Sequence, residues 1–304
     1  MAARKSAARS GLEVDVILST YDAPRALELA LWGYAAQTCP GFRIWVADDG
    51  SGDGTRALVD RMRPETGLDI RHVWQPDRGF RKSAILNRAI AAADADYLIF
   101  SDGDTIPHPR LVETHLRLAR PRRYLAGGYV KLPADVTDRL SVDDVRAGRA
   151  TSLAHLRRIG LRPGRRALRF LGPGPAGWLL DQLTPTPRRW HGNNASTWRE
   201  HLLAVNGFDL DMGYGGQDAA LGDRLENLGV APLRIRHRAP AVHLHHERPW
   251  RDPEGMRRIA EERARIRASG QTRAARGLDQ LEDEEGAGVV GGLGGQDASP
   301  RASS

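Results

Sequence analysis

The sequence predicts an α/β fold: one domain around a mostly parallel sheet, with an Arg-rich helical insertion and a disordered C-terminal tail. Three observations carry that expectation. Short β-branched runs alternate with amphipathic stretches from Val14 to about Val130. Alternation of this kind implies right-handed βαβ units. The first, second and fourth of those runs each end in a polar Asp/Gly/Ser cluster, as strands do where a parallel sheet presents its ligand-binding edge. At 304 residues, 40% of them hydrophobic, the chain is also long enough to bury a full core.

The elements follow in order. Val14-Asp-Val-Ile-Leu-Ser19 reads as a strand, and a helix runs from about Pro24 to Ala36, with proline tolerated in its first turn. Arg43–Ala47 is the second strand, followed by a helix over about 54–62. Asp69–Trp74 is the third strand, and Ala84, Ile85, Ala89 and Ile90 mark the next helix by their spacing. Asp96–Phe100 is a nearly continuous apolar fourth strand, and a further helix begins near Pro109. The alternation then lapses over 139–190 and returns at Asn193–Val205, in a helix over 217–228 and in a strand over 241–246. A charged helix over about 253–268 precedes an acidic, then Gly-rich tail. The expected organisation is a frayed basic N-terminus (1–11), a first α/β half (12–138), an Arg-rich insertion (139–190), a second half with the last helix (191–270) and a disordered tail (271–304).

Composition excludes several classes. Cys39 is the sole cysteine, so neither a disulfide framework nor a Cys-based zinc site can form. No run approaches the roughly 20 apolar residues of a membrane span. The opening MAARKSAARSGLEVDV lacks the apolar core of a secretory signal, and a cytoplasmic location is expected. The net charge of +7 is unevenly placed. Residues 139–190 hold 11 arginines against three acids, a local +8, which leaves the rest of the chain at −1. Apolar residues interleave with those arginines, so 150–180 is read either as a solvated helical hairpin or as a contact for an anionic membrane, glycan or lipid-linked acceptor. Nucleic acid is not expected as a partner.

Chemistry concentrates at the strand ends. Asp102-Gly-Asp104 can aim two carboxylates at one hard cation, Mn²⁺ or Mg²⁺, although Asp-rich turns also simply cap helices. Arg78-Gly-Phe-Arg-Lys-Ser83 sets cations at the start of the helix carrying Arg88, where an anion such as a diphosphate would sit. Asp218, behind Gly213-Tyr-Gly-Gly-Gln217, falls on a helix's first turn and is either a capping residue or a general base. His243, His245 and His246 cluster on a strand, where alternation puts His243 and His245 on one face.

Taken in order, these motifs resemble family 2 glycosyltransferases of the GT-A fold. The resemblance rests on Ile17-Leu-Ser-Thr-Tyr-Asp22, Val46-Ala-Asp-Asp-Gly-Ser51, Gly79–Arg88, Phe100–Pro107, Gly192-Asn-Asn-Ala-Ser196 and Gly213–Asp218. The second half is also similar to the C-terminal module of galactosyltransferases and of bacterial chondroitin- and hyaluronan-type polymerases. The resemblance implies an inverting, metal-dependent transfer from a nucleotide-diphosphate sugar, UDP-linked, to a glycan or lipid-linked hydroxyl. It assigns Ser19, Tyr21 and Asp49 to the nucleoside, with Tyr21 as the stacking ring. Asp102 falls to the ribose, Asp104 and His245 to the metal, and Asp218 to the base. Lys82 and Arg88 would face the diphosphate, and Asn193 and Asn194 would line the acceptor side. Gln217 stands where relatives carry Glu, so it would bond an acceptor hydroxyl without adding charge. A peripheral place at the inner face of the cell membrane is expected through 150–180. Two other readings remain: a nucleotidyltransferase, disfavoured because no basic triphosphate loop follows the first strand, and a non-enzymatic membrane or nucleic-acid binder.

Overall fold

The computed structural model describes residues 11–162, 164–184, 189–247, 253–281 and 287–290. Four parallel strands come from the first third of the chain: β1 (Val14–Thr20), β2 (Arg43–Asp48), β3 (Asp69–Trp74) and β4 (Tyr97–Asp102). The helices α1 (Pro24–Ala35), α2 (Asp53–Thr66) and α3 (Lys82–Ala92) connect them. Successive side chains of β1 part to opposite faces, as the two-residue strand period requires. Val16 and Leu18 enter the core under α1 and α2, while Ile17 enters the core under α3. Both faces of the sheet are therefore buried, which accounts for the near-continuous apolar spelling of these strands.

After β4 come β5 (Thr105–Pro107), α4 (Leu111–Leu118), β6 (Arg123–Ala126) and β7 (Gly128–Lys131). The second half supplies β8 (Ala195–Trp198), β9 (Ala231–Arg234), β10 (Pro240–His243) and β11 (Gly288–Val290). The large sheet has the order β11-β3-β2-β1-β4-β8-β6-β9. Its β3-β2-β1-β4 block and the β6–β9 pair are parallel, and the remaining pairs are antiparallel. A small sheet, β5-β10-β7, lies beyond the end of β4. The register sets Ser19 beside Asp102 and Thr20 beside Asp48, so the three polar clusters share one sheet edge.

The Arg-rich insertion divides in two. After α5 (Ala134–Arg139), its first part, α6 (Val142–Arg146) and α7 (Leu153–Arg158) with their flanks, sends Leu140, Val145, Leu156 and Leu161 into the main core. This half is packed rather than a solvated hairpin. The second part, a 3₁₀ turn over 165–171 and α8 (Pro175–Leu183), packs Phe170 on the core but leaves Leu168, Leu171, Trp178, Leu179 and Leu183 outside.

The helices α9 (Arg199–Ala204), α10 (Gln217–Asn227) and α11 (Pro253–Ser269) complete the fold. Asp223 on α10 accepts from Arg263 at 2.8 Å and from Arg267 at 3.1 Å, which holds α11 against it. The tail expected to be disordered from 271 is placed further along. Asn206 donates to the Ala274 carbonyl, and its own carbonyl accepts from the Leu278 amide, so 271–281 are held on the α9 side. Gly288–Val290 then pairs antiparallel with β3 and covers that edge. The rest of the expected tail, and the N-terminus up to residue 10, lie outside the described residues.

Candidate active site

The polar edge begins with a rigid floor. Asp48, fully buried at the end of β2, accepts from the Ser51 amide at 2.8 Å and faces His72 Nε2 at 2.9 Å. Its neighbour Asp49 accepts from Gln75 Nε2 at 2.6 Å and from the Arg81 amide at 2.9 Å. Burial raises the Asp49 carboxyl to about 6, although those two hydrogen bonds act to lower it. Between them and the next loop stands Gly50 at φ +99°, where a Cβ would lie 2.5 Å from the Asp77 Cα. That close approach lets Asp77 receive the Tyr21 hydroxyl at 3.0 Å, leaving the exposed ring as a flat platform over the edge. Gln75, Asp77 and His72 belong to this floor but carried no sequence signal, because nothing in their spelling shows that β3 ends beside β2.

The Asp102-Gly-Asp104 pair is not a loop after the strand, as expected. Asp102 ends β4 itself, and the two carboxylates part company. Asp102 Oδ1 accepts from Ser19 Oγ at 2.8 Å and from Lys82 Nζ at 2.6 Å. Burial pushes the Asp102 carboxyl up, but the Lys82 ammonium and Ser19 outweigh it, and the group sits below the ordinary carboxylate range. Burial likewise opposes the Lys82 charge, and Asp102 and Asp218 together override it, raising the ammonium. The pair is thus an ion pair set into the sheet edge. Gly103 lies against β1, its amide donating to the Ser19 carbonyl at 2.7 Å.

Asp104 turns the other way, toward His243 Nε2 at 3.7 Å and His246 Nε2 at 3.4 Å. His243 Nδ1 lies 2.7 Å from the Leu244 carbonyl, and His246 Nδ1 lies 2.7 Å from that of Glu247. A carbonyl only accepts, so each Nδ1 carries a proton, and it is Nε2 of each ring that turns toward the carboxylate and can serve as a ligand atom. One carboxylate oxygen and two imidazole nitrogens, all within 4.8 Å of one another, form a donor set that fits a divalent metal. His245 is not in this cluster. The strand ends at His243, so the alternation that paired His243 with His245 ends there too. The Leu244 amide donates to the Asp104 carbonyl at 2.9 Å, and His246 comes back beside His243, the rings stacked 5.2 Å apart. His245 is exposed, its amide donating to Thr137 Oγ1.

Asp218 lies on the first turn of α10, close enough to Lys82 for each to shift the other. Burial raises the Asp218 carboxyl, against the lowering effect of Lys82. Its Oδ1 is buried with no hydrogen-bond partner among the described residues. Gly192 makes room for it: a Cβ there would lie 2.7 Å from Oδ1. Asn193 Oδ1 and Gln217 Oε1 are likewise buried acceptors without a partner among the described residues.

One expected substrate contact is placed elsewhere. Asn194 is buried, donating to the Gly128 carbonyl at 3.0 Å and the Ala239 carbonyl at 2.7 Å. Its Oδ1 therefore accepts a hydrogen bond from His115 Nε2 at 3.0 Å, and His115 Nδ1 accepts from Ser196 Oγ at 2.7 Å. Burial lowers the His115 pKa to about 4, so the ring is neutral and the network structural. Arg88 Nε reaches Gln75 Oε1 at 3.3 Å, and Arg88 lines the same cleft as Arg78, Arg81 and Lys82.

Comparison with known proteins bears on the family and the fold. Residues 15–157 match the model of glycosyl transferase family 2. The matched stretch is just under half of the chain, the α/β architecture is that of GT-A transferases, and the relatives are named as glycosyltransferases. The chain is 29% identical over 252 residues to validoxylamine A glucosyltransferase of Streptomyces hygroscopicus subsp. jinggangensis (strain 5008), covering 77% of this chain and 56% of that protein. It is 26% identical over 236 residues to hyaluronan synthase of Pasteurella multocida, covering 71% of this chain and 23% of the synthase. The chain thus spans about half of the first relative and under a quarter of the second. Among solved structures, mannosyltransferase PcManGT of Pyrobaculum calidifontis, in complex with GDP-Man and Mn²⁺, superposes with a TM-score of 0.51. That likeness, at 21% identity over 83% of this chain and 62% of the other, concerns the fold.

Proposed function

We propose that the chain is an inverting, metal-dependent glycosyltransferase. It moves a sugar from a nucleotide-diphosphate donor, UDP-linked, to a hydroxyl of a glycan or lipid-linked acceptor. The observation that carries this reading is Asp218: a buried carboxylate with a raised pKa and an unpartnered oxygen, on a helix N-terminus beside Lys82. A base whose pKa is lifted toward the working pH accepts a proton more effectively than an ordinary carboxylate. Asp218 removes the acceptor hydroxyl's proton as that oxygen bonds to the anomeric carbon. The carbon–oxygen bond to the diphosphate breaks, and its electron pair leaves with the diphosphate. Lys82 offers the nearest fixed positive charge to the leaving group. Such a single displacement inverts the anomeric centre and uses no covalent enzyme intermediate.

Asp104, His243 and His246 would hold the divalent ion, which when bound neutralises diphosphate charge as a Lewis acid. Their mixed nitrogen and oxygen donors favour Mn²⁺ over Mg²⁺. Tyr21 is the platform for the base, and Asp49 retains lone pairs for a base N–H. Ser19 and Asp102 face the ribose. Asn193 and Gln217 offer two further acceptors to hydroxyls of the incoming glycan. The relatives' names include a glucosyltransferase and synthases of hyaluronan and chondroitin, so a hexosyl or hexosaminyl donor fits. Among the described residues no helix is long and apolar enough to cross a membrane. A nucleotide-sugar donor nevertheless suits the cytoplasmic side, with the Arg-rich insertion making peripheral contact with the inner membrane face.

The test is a panel of UDP- and GDP-sugars with Mn²⁺ or EDTA, scored by thermal shift and by product anomer. Retention of configuration, or full activity in Asp218→Asn, would remove the assignment of the base.

A further inference from the structure

The helix α8 is built inside out. Its inward face is Gly177 and Asp181, and its outward face carries Ala176, Trp178, Leu179 and Leu183. A surface helix ordinarily turns its apolar side chains to the core. Here three bonds fix the opposite orientation. Asp181, fully buried, accepts from the His237 amide at 2.9 Å, from His237 Nδ1 at 2.9 Å and from Arg238 Nε at 2.8 Å. Gly177 permits close contact, since a Cβ there would lie 2.9 Å from the His237 carbonyl oxygen. The neighbouring 3₁₀ turn repeats the pattern with Leu168 and Leu171, three residues apart and so on one edge. These five side chains are 49% to 68% exposed and account for half of the ten large hydrophobic residues exposed among the described residues.

Around them the charge has one sign. Residues 157–190 contain eight arginines and a single acid, Asp181, which is buried. Arg157, Arg158, Arg162 and Arg166 are exposed. Arg169, half-buried beneath, is lowered to about 10 by burial and by the proximity of Arg236 and Arg166. A second copy of this face would set arginines against arginines. A polyanion would match the charge but leave Trp178 and the leucines in water. An anionic bilayer satisfies both.

We propose that residues 165–183, with the arginines flanking them, dock the protein on an anionic lipid surface by inserting Trp178, Leu179 and Leu183 at the headgroup boundary. This deepens the peripheral-membrane reading above and rests on it. It also confines that contact to the outward half of the insertion. Arg169 donates to the Tyr129 carbonyl, and the Tyr129 ring lies 5.2 Å from that of His243. The docking face therefore adjoins the candidate metal cluster, where a lipid-linked acceptor would be presented.

The experiment is flotation of the full chain with vesicles of phosphatidylcholine, alone or mixed with phosphatidylglycerol, at low and high salt. Binding is expected on the mixed vesicles only. Each of Arg162→Ala and Arg166→Ala should weaken it about fivefold, and the pair Trp178→Ser/Leu179→Ser by at least about tenfold. Brominated acyl chains should quench wild-type fluorescence and quench Trp178→Phe less. Several results would overturn the proposal: no flotation, flotation untouched by the serine pair, heparin binding with that same indifference, or a dimer that Trp178→Ser dissociates. The UDP-induced thermal shift is measured on every variant. Its persistence confines a failure to the docking face, whereas its absence in the wild type counts against the glycosyltransferase reading.

Discussion

Gly192→Ala is a perturbation whose effect can be worked out from the site itself. The residue does not occupy the left-handed region, so alanine strains no backbone there. Its added methyl would lie 2.7 Å from Asp218 Oδ1 and 3.1 Å from Oδ2, whereas ordinary contact begins at 3.4 Å. The carboxylate must retreat by about 0.7 Å, and a misplacement approaching 1 Å costs about 10- to 100-fold in rate. The steric cost to folding is about 1–3 kcal/mol if the side chain cannot move, and less if it can. Gly54→Ala is the control, because a methyl there meets nothing within 4 Å. Initial rates at saturating donor, with the UDP-induced thermal shift alongside, separate the two consequences. Loss of kcat with an unchanged UDP shift is expected. A Gly192→Ala enzyme with wild-type kcat would refute the placement of Asp218 against the reacting hydroxyl.

Further outcomes follow from the same geometry. Asp218→Asn should lose about 10²- to 10⁴-fold in kcat while keeping UDP affinity, read by steady-state kinetics and calorimetry. His246→Ala should weaken Mn²⁺ binding at least about tenfold, whereas His245→Ala should leave it unchanged; titration by electron paramagnetic resonance decides between the two histidines. UDP affinity should fall as pH drops through about 6, where Asp49 takes up a proton, and Asp49→Asn should flatten that profile. The same shift has a stability sign. The folded pKa lies above the unfolded value of 3.8, so folding gains stability as pH falls from about 6 toward 3.8 and loses it on the way back. The full term is at most about 3 kcal/mol, from roughly 1.4 kcal/mol per pKa unit, and chemical denaturation of the wild type against Asp49→Asn across that window measures it. Deleting 150–180 should unfold the protein rather than spare donor binding, because Leu156 and Leu161 belong to the main core; circular dichroism reports it.

Much of the fold was legible because local patterns encode it. Strands β1 to β4 and the helices between them were readable from two-residue and 3.6-residue periods, and their ends were accurate to a few residues. The expected tail begins too early, at 271 rather than beyond 281, since the short polar run 271–281 has no periodicity to announce the Asn206 hydrogen bonds that hold it. Of the candidate site, Ser19, Lys82, Asp102, Asp104 and Asp218 are proposed from their positions at strand and helix ends, and the structure gathers them at one sheet edge. Asn194 was misread as a substrate contact because no local feature announces its partners at Gly128, Ala239 and His115.

The sequence by itself determined the order of elements, the common sheet edge and the residue types gathered there, because periodicity and strand-end chemistry are local. Tertiary structure decided which way each side chain turns. Asp102 faces Lys82 while Asp104, two residues on, faces the histidines, since β4 ends between them and the chain bends into β5. His246 replaces His245 because β10 stops at His243, and a period of two has no meaning beyond a strand's last hydrogen bond. The excess of arginine was countable from the first line. That its apolar neighbours face outward follows only from Asp181, whose buried partners lie more than 50 residues away in the chain.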